Sequence, residues 1–258
     1  MKNKKKYLTI ACAAALGAAA AGAVYTSAVF RTAVKRRRKD RRPSTEDSGG
    51  LVFTKSFDGL RLAAHWLPAE NPKRIVIAMH GWRSSWQRDF SPVSDFLRRS
   101  GCSVLYAEQR SHGSSEGEYI SYGILERRDV VSWAEYINDH LNTCLPVYLY
   151  GISMGAATVM MSSELEFPSP LHGIIADCGY TSPEEIIKTA ARERHMPYRL
   201  AYPVIARFAR RAIGHSLSEL NIPDILRHSA VPILFIHGNA DDFVPLEMTL
   251  DNYSVCSS

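Results

Sequence analysis

Residues 146–163 read PVYLYGISMGAATVMMSS. Pro146 to Tyr150 is a short apolar run with β-branched and aromatic side chains, which predicts a buried strand. Ser153 to Ser163 is free of charge and rich in small residues, which predicts a helix packed closely on its neighbours. The joint between them is Gly151-Ile152-Ser153-Met154-Gly155, a G-x-S-x-G. Such a joint has a physical logic. A serine on a sharp strand-to-helix turn is lifted clear of both elements, and glycines on either side let the two backbones approach without collision. The serine then stands at a helix N-terminus, where backbone N–H groups can stabilise a developing oxyanion. The pattern alone is weak, since at ordinary glycine and serine usage chance supplies it in roughly one chain in ten of this length. The strand before it and the helix after it are what make it specific.

Working outward, β-type and helical patterns alternate on both sides. Leu51–Ser56 and Leu60–Leu67 flank Asp58-Gly59, a hairpin turn signal. Arg74–His80 (RIVIAMH), Cys102–Ala107, Pro146–Tyr150, Leu171–Ala176 and Pro232–Ile236 read as further strands. Trp86–Arg99, Tyr122–Leu141 and Ser153–Ser163 carry helical spacing. Strands separated by helices predict an α/β fold, with a mostly parallel sheet covered on both faces. Ser182–His228 is helical, rich in arginine and aromatic residues, and interrupted by Pro197, Pro203 and Pro223. It reads as a cap inserted over the sheet edge where sites form in open α/β sheets. Its Tyr198, Tyr202 and Phe208 suit an apolar acyl pocket and suit cap packing equally well.

Two more strand ends carry candidate chemistry. His80-Gly81-Trp82 follows the RIVIAMH strand. Backbone N–H groups of Trp82 and Met154 are the candidate oxyanion donors, while His80 fits a buried brace better than a base. Arg110-Ser111-His112-Gly113-Ser114 forms a tight turn after its strand, and a structural role suits His112 as well. Ile236–Pro245 (IHGNADDFVP) supplies Asp241 as the acid that orients a catalytic imidazole, with Asp242 its neighbouring competitor.

Together these pieces resemble the α/β-hydrolase superfamily, in its serine-aminopeptidase-like branch of bacterial hydrolases. The resemblance runs from about Leu51 to the C-terminus. It rests on HGW at 80–82, EQRSHGSSEG at 108–117, GILERRDV at 123–130, GISMG at 151–155 and HGNADDFVP at 237–245. It implies an eight-stranded sheet, a helical cap, and hydrolysis of an ester, thioester or peptide bond through an acyl-enzyme on Ser153. It implies neither metal nor organic cofactor. It also places the catalytic histidine beyond the acid, after one more helix and one more strand. Only 13 residues follow Pro245, and none is histidine. His65, His80, His112, His140, His172, His195, His215, His228 and His237 all fall elsewhere in the pattern. The reading is therefore a serine hydrolase recorded without its base, its final strand and its final helix. Loss of the base typically costs on the order of 10⁶ in rate. A non-catalytic binding or scaffold protein on the same fold is the alternative from another class. An acyltransferase or thioesterase is a third.

Composition sets the remaining bounds. Formal charge is +5 over 258 residues, but residues 1–42 hold twelve of the Lys and Arg and a single acid, Asp40. The remainder is net −6, which disfavours nucleic acid as a partner because phosphate neutralisation needs clustered cations. Tyr7–Phe30 is 24 residues without a charge, long enough to cross a ~30 Å hydrocarbon core as a helix. Eight basic residues follow it and four precede it, which predicts a single-pass anchor with the C-terminal domain on the cytoplasmic side. A signal peptide cleaved near Ala21-Gly22-Ala23, with secretion, is the competing reading. The basic block would touch anionic headgroups. The expected organisation is an anchor with basic flanks over 1–42, a polar linker over 43–50 and a hydrolase domain over 51–258, with the cap at about 182–228. Cys12, Cys102, Cys144, Cys178 and Cys256 are scattered, which argues against a zinc site or disulfide framework and for small buried thiols.

Overall fold

The computed structural model describes residues 50–258 except 142–143, 194 and 196–197, together with residues 22, 24, 28, 31 and 34–36. Seven strands form one sheet: β1 (Gly50–Lys55), β2 (Arg61–Leu67), β3 (Arg74–Met79), β4 (Cys102–Glu108), β5 (Val147–Ile152), β6 (Leu171–Asp177) and β7 (Ile233–Ile236). Their order is β1-β2-β4-β3-β5-β6-β7. β1 and β2 form an antiparallel hairpin, β2 is antiparallel to β4, and all later pairs are parallel. The hairpin turn sits at the expected Asp58-Gly59, with Gly59 at φ 88 and Leu60 N–H bound to Ser56 Oγ at 2.8 Å.

Helices α1 (Trp86–Arg99), α2 (Glu126–Leu141), α3 (Met154–Ser162), α4 (Pro183–Glu193), α5 (Tyr198–Ile213), α6 (Ile222–Leu226) and α7 (Leu246–Val255) complete the described elements. Alternate residues of β3 enter different cores. Ile75, Ile77 and Met79 join the cluster of Trp133, Val159 and Met160, while Val76 and Ala78 pack with Phe90 and Tyr106. This period-2 division buries both faces of the strand, which is why it reads as a continuous apolar run.

Several boundaries moved for local reasons. α2 begins at Glu126 rather than Tyr122, because Tyr122 and Gly123 take left-handed φ values of 54 and 89. The Glu126 carboxylate then accepts the Ser121 and Gly123 N–H groups, both at 2.9 Å, and fastens the entry turn. Pro203 does not break the cap: it lies inside α5, at the loss of one backbone hydrogen bond. Pro223 lies in the first turn of α6, where no such bond is lost. A helix, α7, follows the acid as the resemblance implies, and no eighth strand occurs among the described residues. β7 is therefore an edge, with Leu234 57% and Ile236 41% exposed.

The thiols depart from expectation. Cys102 is buried, Cys178 and Cys256 are half-buried, and Cys144 is exposed at a helix-to-strand connection. Most of the apolar stretch 7–30 lies outside the described residues, and among those described no helix is long and apolar enough to cross a membrane. The start of the basic block is not a free surface. Val34 is buried, Lys35 bridges Tyr119, and Arg36 N–H bonds Glu118 O at 2.8 Å. The Arg36 guanidinium is held by the carbonyls of Gly113 and Ser115, each at 2.5 Å. Residues 34–36 thus pack against the turn after β4, while residues 37–49, with all of the expected linker but Gly50, lie outside the described residues.

Candidate active site

The strand order reverses between β3 and β5, and the crevice beyond their C-terminal ends is where open α/β sheets place a site. Ser153 stands there as the N-cap of α3, with φ 54 and ψ −114. That left-handed backbone is strained for a residue with a Cβ, on the order of 1–3 kcal/mol, and persists only where the surroundings enforce it. They do so here. A Cβ on Gly155 would overlap the backbone oxygen of Met79, and one on Gly151 would overlap the backbone of Gly155. Strand, turn and helix are thereby in direct backbone contact. Ser153 N–H donates to Asp177 O at 2.8 Å, which ties the turn to the end of β6. Ser153 Oγ makes no hydrogen bond to a described residue. Met154 opens the helix, where N–H groups lack intrahelical partners.

Opposite it lies the turn after β3. A Cβ built on Gly81 would be 3.5 Å from Ser153 Cβ and 3.3 Å from Asp89 Oδ2. Trp82 is half-buried, with the Arg83 guanidinium 5.1 Å from its ring centroid. A cavity of about 480 Å³ is bounded by Ile152 and Ser153, by Gly81–Ser84 with Arg88 and Asp89, and by Phe243. The cap aromatics do not line it. Tyr198 and Tyr202 pack against each other with tilted rings and share the Glu184 carboxylate, and Phe208 packs edge-on to Tyr119. They are packing residues of the cap.

His80 and His112 are neutral braces. Gln109 N–H donates to His80 Nε2 at 3.2 Å, so that nitrogen carries no proton, and Nδ1–H donates to Gly81 O at 2.8 Å. Arg83 N–H likewise donates to His112 Nε2 at 3.1 Å, leaving Nδ1–H for Arg110 O at 3.0 Å. The rings meet edge to face at 4.7 Å. Burial pulls both pKa values down, that of His112 well below the usual range, where His80 and nearby arginines push further. Neither has a lone pair to offer a serine.

Asp241 lies in the loop after β7. Its Oδ1 accepts Phe243 N–H at 2.8 Å and Val244 N–H at 2.9 Å, and its Oδ2 is 3.6 Å from His237 Nε2. Asp242 is exposed. His237 is engaged by Val244 O at 2.9 Å and Thr249 Oγ1 at 2.6 Å, so it is pinned against α7 rather than turned to Ser153. Asp177 is pushed up by burial, relieved by His237 and reinforced by Asp241. Burial and Asp177 raise the adjacent Cys178 thiol to about 12, which keeps it protonated. All nine histidines are described, and none hydrogen-bonds Ser153 Oγ. Among the described residues no cluster of His, Cys, Asp and Glu could hold a metal.

The residue that sequence reasoning missed is Asp89, whose carboxylate reaches back from α1 to Gly81 N–H at 2.7 Å. Its only sequence signal is its place as the acid in the first turn of the helix following the HGW turn.

Known proteins give the arrangement its family. The family model described as serine aminopeptidase, S33, matches residues 70–216. An uncharacterized protein of Bacillus subtilis (strain 168), YqkD, is 27% identical over 186 residues, which are 72% of this chain and 60% of the relative. The chain thus matches less than two thirds of that relative's length. The Pyrococcus furiosus esterase Pf2001 superposes with a TM-score of 0.65 at 23% identity, covering 84% of each chain. Est1E of Butyrivibrio proteoclasticus, solved with ferulic acid bound, superposes at 0.61 and 19% identity, over 80% of this chain and 86% of that one. These two likenesses show the fold. Since the family model spans more than half of its length, the chain belongs to the serine aminopeptidase S33 family of α/β-hydrolases.

Proposed function

We propose that this site hydrolyses an acyl bond through Ser153. The observation that carries the reading is the left-handed backbone of Ser153, enforced by glycine contacts on both sides and aimed into the cavity beside Gly81. In this reading Ser153 Oγ attacks the acyl carbon, and the N–H groups of Trp82 and Met154 take the oxyanion. An imidazole oriented by Asp241 removes the serine proton and returns it to the leaving group, and water then releases the acyl-enzyme. None of the nine histidines hydrogen-bonds Ser153 Oγ in the structure, and the resemblance places that imidazole beyond Asp241 in the chain. Likeness to esterases favours an ester over a thioester or peptide bond. Residues 7–30 are proposed as a membrane anchor on their charge-free length.

The test is a fluorophosphonate probe with mass-spectrometric mapping. Slow modification of Ser153 in the 258-residue chain is expected, faster when the reading frame is carried past Ser258, and none in Ser153→Ala. Equal labelling of Ser153→Ala would sink the assignment. An extended product that never labels would favour a binding protein.

A further inference from the structure

The turn from Gly81 to Ser84 has to hold one amide, that of Trp82, towards the nucleophile. One carboxylate grips it on both sides of that amide. Asp89 Oδ2 accepts Gly81 N–H at 2.7 Å, and Asp89 Oδ1 accepts the Ser84 hydroxyl at 2.5 Å. Arg83 in this turn adopts φ 52, in the left-handed region, and beside the bonds of His80 and His112 to the backbone of Gly81 and Arg83, Asp89 is the group that reaches both ends of the turn. Asp89 is not acting as the cap of its own helix: Ser85 is the N-cap, and both Asp89 oxygens point out of α1 to the turn.

Its charge is a poor explanation for its place. Asp89 Oδ2 and Ser153 Cβ lie within 3.5 Å of one point, the position of a Cβ on Gly81. A carboxylate there repels an oxyanion forming on the substrate. What it contributes is geometry.

We infer that Asp89 is the positioning residue of the oxyanion turn, fixing Gly81 and Ser84 so that the Trp82 amide faces Ser153. The inference rests on the proposed role of Trp82. It predicts that the hydrogen bonds matter and the charge does not. An asparagine can repeat both contacts, with Oδ1 accepting Gly81 N–H and Nδ2 donating to a rotated Ser84 hydroxyl.

The experiment measures fluorophosphonate labelling of Ser153 against probe concentration in the full chain and in Asp89→Asn, Asp89→Ala and Ser153→Ala, with thermal melting alongside. Loss of one oxyanion donor typically lowers a rate by about 10²–10³-fold, and misaiming one should lower it by about 10–100-fold. Asp89→Ala should show that loss in the limiting labelling rate, with half-saturation within about threefold. Asp89→Asn should label within about threefold of the parent. An Asp89→Ala rate equal to the parent's would overturn the inference, as would an Asp89→Asn loss as deep as alanine's. If neither the 258-residue chain nor its extended product labels at Ser153, the serine-hydrolase reading fails instead. Amide exchange over residues 81–84 then decides the clamp: faster exchange in alanine but not asparagine supports it, and unchanged exchange in both refutes it. The same exchange measurement, with Ser84→Ala as the milder variant, serves if Asp89→Ala does not fold.

Discussion

Lowering the pH from 7.5 to 5.5 should destabilise this domain through His80 and His112. Each Nε2 accepts a backbone N–H and each Nδ1–H is given to a carbonyl, so neither ring can take a proton without ejecting a main-chain donor. Burial holds both below the usual histidine range in the fold. A group whose folded pKa is depressed contributes stability above its unfolded pKa and loses it as pH falls. With an unfolded pKa of about 6.5, protonation at pH 5.5 stabilises the unfolded chain by about 1.4 kcal/mol per histidine, or about 2.8 kcal/mol for both, against under 0.2 at pH 7.5, and that is the most the two rings can withdraw; Asp129, raised to about 7 by burial, works the other way, because its protonation in the fold adds stability as the pH falls. For a domain of this size that ceiling corresponds to a fall in Tm of no more than about 11 °C. Urea denaturation followed by tryptophan fluorescence at half-unit pH steps would measure it. His112→Gln keeps an acceptor for Arg83 N–H and should lose about 1 kcal/mol less than the parent between pH 7.5 and 5.5. A slope untouched by His112→Gln would refute the tautomer assignment.

Two further outcomes are expected. Gly155→Ala would drive a Cβ into the backbone oxygens of Met79 and His80, costing about 3 kcal/mol or more, whereas Gly50→Ala meets nothing. Melting curves should separate the two by at least about 6 °C, and near-equal values would mean that the contact between α3 and β3 yields freely. At the exposed edge, Leu234→Lys should reduce concentration-dependent light scattering while leaving Ser153 labelling unchanged, because a lysine on an edge strand opposes strand addition. Undiminished scattering would place the sticky surface elsewhere.

The legible parts of the molecule were those carried by contiguous runs. The elbow could be read because strand, turn and helix lie within 18 residues of one another and each has its own local pattern. The seven strands were visible for the same reason, including β7, whose apolar ILFI reads like an interior strand although it lies at an edge. Asp89 was not legible: its partner is eight residues back across a turn, and an acid in a helix's first turn is ordinarily explained by the helix itself. The apolar pocket suggested by Tyr198, Tyr202 and Phe208 failed because helical spacing cannot say which neighbour an aromatic faces. Residues 34–36 misled for a related reason. A run of cations reads as a solvated or headgroup-facing surface, and only the fold reveals that carbonyls at Gly113 and Ser115 are waiting for one of them.

That short strap lies against a wall of the cavity. Lys35 O accepts a hydrogen bond from the Arg83 guanidinium at 2.8 Å, and Arg83 is a wall of the cavity beside Ser153. Three residues separate Phe30 from Val34, a reach of about 10–14 Å even when fully extended. If residues 7–30 hold a membrane, as proposed, their end lies within that reach of the strap at the mouth of the cavity.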